Sequence, residues 1–139
     1  MAVEHLVEPT AAAPDYDEIV RVIGLYIEGF NDSDIEKFRE AFHEDAWIFY
    51  TDADGKLDNH LIAGEDLAVW SSAYTTGDLV GRILSVFQAG DVASVQLVWD
   101  GNDEWGKWLD THALLRIDGV WKITNKTATH YSRAGQPDS

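Results

Sequence analysis

The stretch LLRIDGVWKITNKTAT, Leu114 to Thr129, decides the fold, because its Asp118-Gly119 pair sets a hairpin register. An Asp-Gly pair between apolar runs favours a two-residue type I′ turn, in which Ile117 lies opposite Val120. Counting outward sets Arg116 opposite Trp121, Leu114 opposite Ile123, His112 opposite Asn125 and Asp110 opposite Thr127. Opposed residues of an antiparallel pair project to one face, so a slip of one residue reverses every assignment. One face then carries Trp121, Ile123 and Leu114 with Asp110, His112, Asn125 and Thr127. The other carries Lys122, Lys126 and Thr124 with Leu115, Ile117 and Val120. Taking the Trp121 face as the core leaves both lysines in solvent, where they need no partners. Four polar residues then point inward and must meet one another, water or a ligand, since each unpaired group costs about 1–3 kcal/mol.

The 139 residues suit one domain: an arm over 1–14, a domain over 15–131 and a tail over 132–139. The arm has neither a basic start nor an apolar core, so no signal peptide or anchor is expected there. A net charge of −15 repels phosphates, so neither nucleic acid nor an anionic membrane is an expected partner. The absence of cysteine excludes disulfides and thiol chemistry and, with the acidity, leads us to expect a cytoplasmic protein.

Helical signals come first and strand signals follow, the α+β order. Asp15 with Glu18 reads as a capping box opening a helix whose stripe is Ile19, Ile23, Tyr26, Ile27 and Phe30. Ser33 with Glu36 repeats the signal before Ile35, Phe38 and Phe42, a helix expected to end near His43. Ala46 to Thr51 reads as a strand and Asp52 to Gly55 as a turn. A third helix is expected over Glu65 to Tyr74, with Leu67, Trp70 and Tyr74 inward. Four long strands follow, near Val80–Ala89, Val92–Trp99, Glu104–Ile117 and Val120–His130, with turns at Gly90-Asp91 and Asp100–Asp103.

Chemistry-bearing motifs are sparse. His5, His43, His60, His112 and His130 show no ligand spacing, so neither a metal nor any other cofactor is expected. Asp52 to Gly55 is too short a run of ligands for a calcium loop, and there is no phosphate loop or nucleophile elbow. Six tryptophans exceed the needs of a small core, and some could wall a pocket for a flat ligand or anchor a dimer.

The capped first helix with its inward Tyr26, the run NDSDIEKFREAFHEDAWIFY from Asn31 to Tyr50, and LLRIDGVWKI from Leu114 to Ile123 resemble the nuclear transport factor 2-like superfamily. Asp110, the Leu114–Ile123 run and Asn125-Lys126 are most similar to its branch described as putative lumazine-binding. The resemblance implies helices packed in the concave face of a curved, mainly antiparallel sheet: a cystatin-like cone with a pocket at its open end. It leaves function open, since the superfamily includes isomerases, dehydratases, cyclases, binding modules and adaptors. Beside its ketosteroid isomerase members, Tyr26 matches the helical tyrosine. Asp110 would be the protonated acid, its pKa raised by desolvation. Tyr50 falls where the base should be, and Asp52 reaches that place only with a two-residue insertion. Beside the scytalone dehydratase members, Asp110 and His112 would exchange protons while Tyr26 and Tyr50 polarise a carbonyl.

The expectation is therefore a cone-shaped homodimer whose pocket takes a small apolar or aromatic molecule. Trp47, Tyr50, Trp99, Asn125 and Thr127 are the expected ligand contacts, and Asp110, His112 and Tyr26 the expected catalytic groups. An acid–base enzyme and a non-catalytic dimeric interaction module are the alternatives.

Overall fold

The computed structural model describes residues 13–73, 77–100 and 107–131. Residues 1–12 of the expected arm, the tail from 132, Tyr74, residues 101–103 of the expected turn and the 104–106 start of the strand expected from Glu104 lie outside them. Three helices, α1 (Tyr16–Asn31), α2 (Ile35–Ala41) and α3 (Asp66–Ala73), accompany six strands. The strands are β1 (Phe42–Thr51), β2 (Leu57–Leu61), β3 (Val80–Ala89), β4 (Val92–Asp100), β5 (Lys107–Ile117) and β6 (Val120–Tyr131). They form one sheet in the order β2-β1-β6-β5-β4-β3. Every neighbouring pair is antiparallel except β1 with β6, which are parallel.

Of the expected helix stripe, Ile19, Ile23, Tyr26 and Phe30 are buried and Ile27 is half-buried; Val22, outside the expected stripe, is buried with them. They pack on the sheet's inner face, where Ala93, Val95, Leu97 and Trp99 alternate along β4 with Leu114, Trp121 and Ile123 alongside. Each such large apolar side chain contributes about 1.5–3 kcal/mol by leaving water. The turn also forms as read: Asp118 and Gly119 both have positive φ, 51° and 80°, and Ile117 pairs with Val120.

Local capping differs from expectation at both helices. Asp15 precedes α1 but makes no side-chain cap. Its carboxylate instead accepts from Arg116 and from Trp121 Nε1 at 2.9 Å, tying the helix start to the terminal hairpin. At α2 the cap is Asp34, not Ser33: Asp34 Oδ1 accepts from the Glu36 amide at 3.0 Å. Phe42 and His43 belong to β1 rather than to a helix end, and β2 was not signalled, since four of its five residues are exposed and none alternates cleanly.

The main departure is a β-bulge. Leu114 pairs with Ile123 as the turn requires, but Ala113 pairs with Asn125, so Thr124 is the extra residue. Beyond it the alternation of β6 is reversed: His112 pairs with Lys126, Thr111 with Thr127 and Asp110 with Ala128. Asp110 and His112, on the unbulged strand, keep the inward face and are buried, while Lys126 becomes buried and Thr127 exposed.

Candidate functional site

Between the helices and the inner sheet face lies a cavity of about 370 Å³. Tyr26 and Phe30 reach it from α1, Trp70 from α3, Ile48 from β1, Trp99 from β4, Trp108 and Asp110 from β5, and Lys126 and Ala128 from β6. The rings interlock edge to face: Tyr26 lies 5.1 Å from Trp99 and 5.5 Å from Phe30, and Phe30 lies 5.4 Å from Trp99. This volume is near the lower end for small-molecule pockets.

The polar groups converge on one carboxylate oxygen. Tyr26 Oη donates to Asp110 Oδ2 at 2.9 Å, and Trp99 Nε1 donates to the same atom at 2.8 Å. Lys126 Nζ donates to Tyr26 Oη at 2.6 Å and stands 3.5 Å from Asp110 Oδ2. The ammonium also lies over two ring faces, 5.0 Å from the Tyr26 centroid and 4.8 Å from that of Trp70. A buried lysine is thereby paired, hydrogen-bonded and stacked, the conditions under which burial is tolerated.

This arrangement overturns the expected protonated Asp110. Burial alone would raise its pKa, but Lys126, then His112 and the Trp99 N–H, outweigh it and hold the carboxyl well below the usual carboxylate range. Tyr26 moves the opposite way: burial first, then the charge of Asp110, keeps its phenol protonated as a donor. His112 is pushed down, chiefly by burial and further by Lys126, against the pull of Asp110, so it is neutral.

His112 lies behind the cavity wall, its ring 5.0 Å from that of Tyr26. Its Nε2 is 3.4 Å from Asp110 Oδ2, but neither ring nitrogen makes a hydrogen bond among the described residues. Two acid-labile contributions follow. Asp110 titrates lower when folded, so its stabilisation is present above about pH 4 and is lost as pH falls below that. His112 also titrates lower when folded, so its share fades as pH falls below about 6.5, where the unfolded chain takes the proton first. Thermal melts of His112→Leu should lose the decline that begins near pH 6.5, with a melting temperature at pH 7.5 at or above the parent's. An unchanged pH profile would show that His112 does not titrate on unfolding.

Of the five expected ligand contacts, only Trp99 lines the cavity. Trp47 pairs with Asn125, and next to them Phe49 pairs with Thr127, all on the outer face opposite Ile48 and Lys126. Trp47 is 39% exposed and packs beside Phe49, with ring centroids 6.5 Å apart. The reversal after Thr124 moves Asn125 and Thr127 outward. Tyr50 faces β2, where its hydroxyl donates to Asp58 at 3.2 Å and lies 3.4 Å from His60 Nδ1. His60 Nε2 in turn meets Asp66 at 2.6 Å, fastening β2 to the start of α3.

Lys126, Trp70, Trp108, Phe30, Ile48 and Ala128 were not among the expected site residues. Trp108 was within reach of the pattern, since it sits two residues before Asp110 on one strand. Lys126 was not, because a bulge has no signature in a single sequence. Among the described residues no cluster of three or more His, Asp or Glu side chains could hold a metal ion, and no helix is long and apolar enough to cross a membrane.

The same architecture recurs in solved structures. An NTF2-like protein of unknown function from Shewanella baltica OS155 is 27% identical, with a TM-score of 0.75 over 86% of this chain and 96% of its own. One from Methylobacillus flagellatus KT, also of unknown function, is 31% identical, with a TM-score of 0.69 over 85% and 93%. A Nostoc punctiforme domain of unknown function with a cystatin-like fold, 18% identical, matches at a TM-score of 0.66 over 89% of this chain and 82% of its own. No protein with a curated description matches in sequence. Residues 14–128 match the family described as "Putative lumazine-binding". With its α+β cone and that match spanning the helices, the sheet and the cavity residues, the chain belongs to the putative lumazine-binding family of NTF2-like proteins.

Proposed function

We propose that this protein binds a small, flat, predominantly apolar ring compound in the cone. The observation that carries this is the cavity itself: five aromatic side chains, Tyr26, Phe30, Trp70, Trp99 and Trp108, wall a space that ends on Asp110 and Lys126. Aromatic walls with a few convergent polar groups are the usual composition of a small-molecule site. The family's description makes lumazine, a flat bicyclic compound, a reasonable first probe.

Acid–base catalysis has less support. A carboxylate held far below neutral is a weak proton acceptor, and general bases work best with pKa values near the operating pH. His112, with a more suitable intrinsic pKa, does not reach the cavity.

Protein-observed NMR titration with lumazine and naphthalene tests the binding reading. The indole N–H resonances of Trp70 and Trp99 should shift saturably, and Trp70→Ala should weaken binding by about tenfold or more, as loss of a buried aromatic anchor does. Failure of both compounds to shift any cavity resonance would overturn the reading.

A further inference from the structure

Among the described residues the cavity's charges balance. Asp110 and Lys126 are the two charged residues among the described ones that line it, 3.5 Å apart, and Tyr26 and His112 beside them are neutral. An anionic ligand would compete with Asp110 for Lys126, inside a chain of net charge −15. A cationic ligand would seek the ring faces, but the Lys126 ammonium already occupies those of Tyr26 and Trp70. Either would add an uncompensated charge to a largely apolar space.

The hydrogen-bonding capacity left over is specific. The donors from Tyr26 and Trp99 both end on Oδ2 of Asp110, the atom that Lys126 and His112 also approach. Oδ1 accepts no hydrogen bond from the described residues. Lys126 has three N–H donors, and its one hydrogen bond among those residues goes to Tyr26 Oη. Among the described residues, an acceptor and a donor without a partner therefore stand side by side at the cavity wall. A purely apolar ligand would cover both and offer neither a partner, which is costly for charged groups.

We propose that the cavity selects a neutral flat ring compound carrying a cyclic amide edge, with its N–H donated to Asp110 Oδ1 and its carbonyl accepting from Lys126 Nζ. This rests on the ring-binding reading above and deepens it. The complementary pair distinguishes such an edge from an isolated ketone, which offers no donor, and from an amine, which offers no carbonyl.

Four bicyclic probes of similar size separate the alternatives in NMR titrations on the full chain: 2-quinolone as the neutral cyclic amide, naphthalene, 2-naphthoate and N-methylquinolinium. The expected result is that 2-quinolone binds about tenfold or more tightly than each of the others, the range set by a hydrogen bond to a charged group. In Lys126→Met/Asp110→Asn, which removes both charges and keeps the side-chain shapes, naphthalene affinity should be retained and the preference for 2-quinolone lost. Equal binding of naphthalene and 2-quinolone to the parent would overturn the amide proposal while leaving ring binding intact. Tightest binding of 2-naphthoate or N-methylquinolinium would overturn it in favour of a charged ligand. Failure of all four would sink the ring-binding reading and this proposal with it. Retention of the quinolone preference in the double variant would overturn the assignment to Asp110 and Lys126.

Discussion

Replacing Lys126 with Met should lower the free energy of unfolding at pH 7 by about 3–5 kcal/mol, the usual cost of breaking a buried ion pair from one side. The variant keeps the volume of the lysine stem but leaves the Asp110 carboxylate, 1% exposed, with the Tyr26 and Trp99 donors alone among the described residues. Without the ammonium, burial becomes the ruling influence on Asp110 and its pKa rises, so the site takes up a proton as pH falls. The difference from the parent should therefore narrow toward acid, because the parent loses its ion pair there while the variant becomes neutral. Urea unfolding followed by circular dichroism at several pH values measures this, and Lys126→Met/Asp110→Asn should recover most of the loss. A cost under about 1 kcal/mol at pH 7 would place the pair among those that contribute nothing measurable.

The second large effect is expected at Phe38. Its ring is fully buried and contacts Phe30, Trp70 and Tyr26 at centroid distances of 5.0, 5.8 and 6.2 Å. It also lies close against Gly29: a Cβ at that glycine would sit 2.6 Å from the ring. Phe38→Ala should cost about 3–5 kcal/mol through lost burial and the void left behind. Gly29→Ala alone should cost about 1–3 kcal/mol by overpacking, since neighbouring rings hold Phe38 in place. In Gly29→Ala/Phe38→Ala the new methyl meets space rather than a ring, so the double variant should be clearly more stable than the sum of the two losses. Additive losses would mean that the Gly29–Phe38 contact carries no coupling.

Much of the frame was legible because it is periodic. The α1 stripe, the span of β4 and the Asp118-Gly119 turn each follow a local rule, and the structure keeps them, with Val22 added to the stripe. The inward placing of Asp110, His112 and Tyr26 follows from the same rules. What escaped was the relation between strands. Thr124 looks like any strand threonine, yet its insertion determines which half of β6 faces the cavity. The charge state of Asp110 went wrong chiefly for that reason, since its counter-ion had been assigned to solvent. Trp47 and Tyr50 were aromatic residues on a strand beside the site, and composition could not tell a cavity wall from an outer face, where Trp47 lies, or from a contact with β2, which Tyr50 makes. Short β2, exposed along most of its length, offered no apolar alternation to read.

Thr124 makes the chemistry of the cone a matter of parity. Deleting this residue would leave Ala113 opposite Asn125 and His112 opposite Lys126, so the lysine would stay inside a straighter strand. Absorbing the same residue into the ladder would instead turn Lys126 out and bring Asn125 and Thr127 in, replacing a charged wall with a neutral amide and hydroxyl. In this chain the register after Thr124, and not the core, the turn or the helices, decides which side chains of the far half of β6 line the cavity.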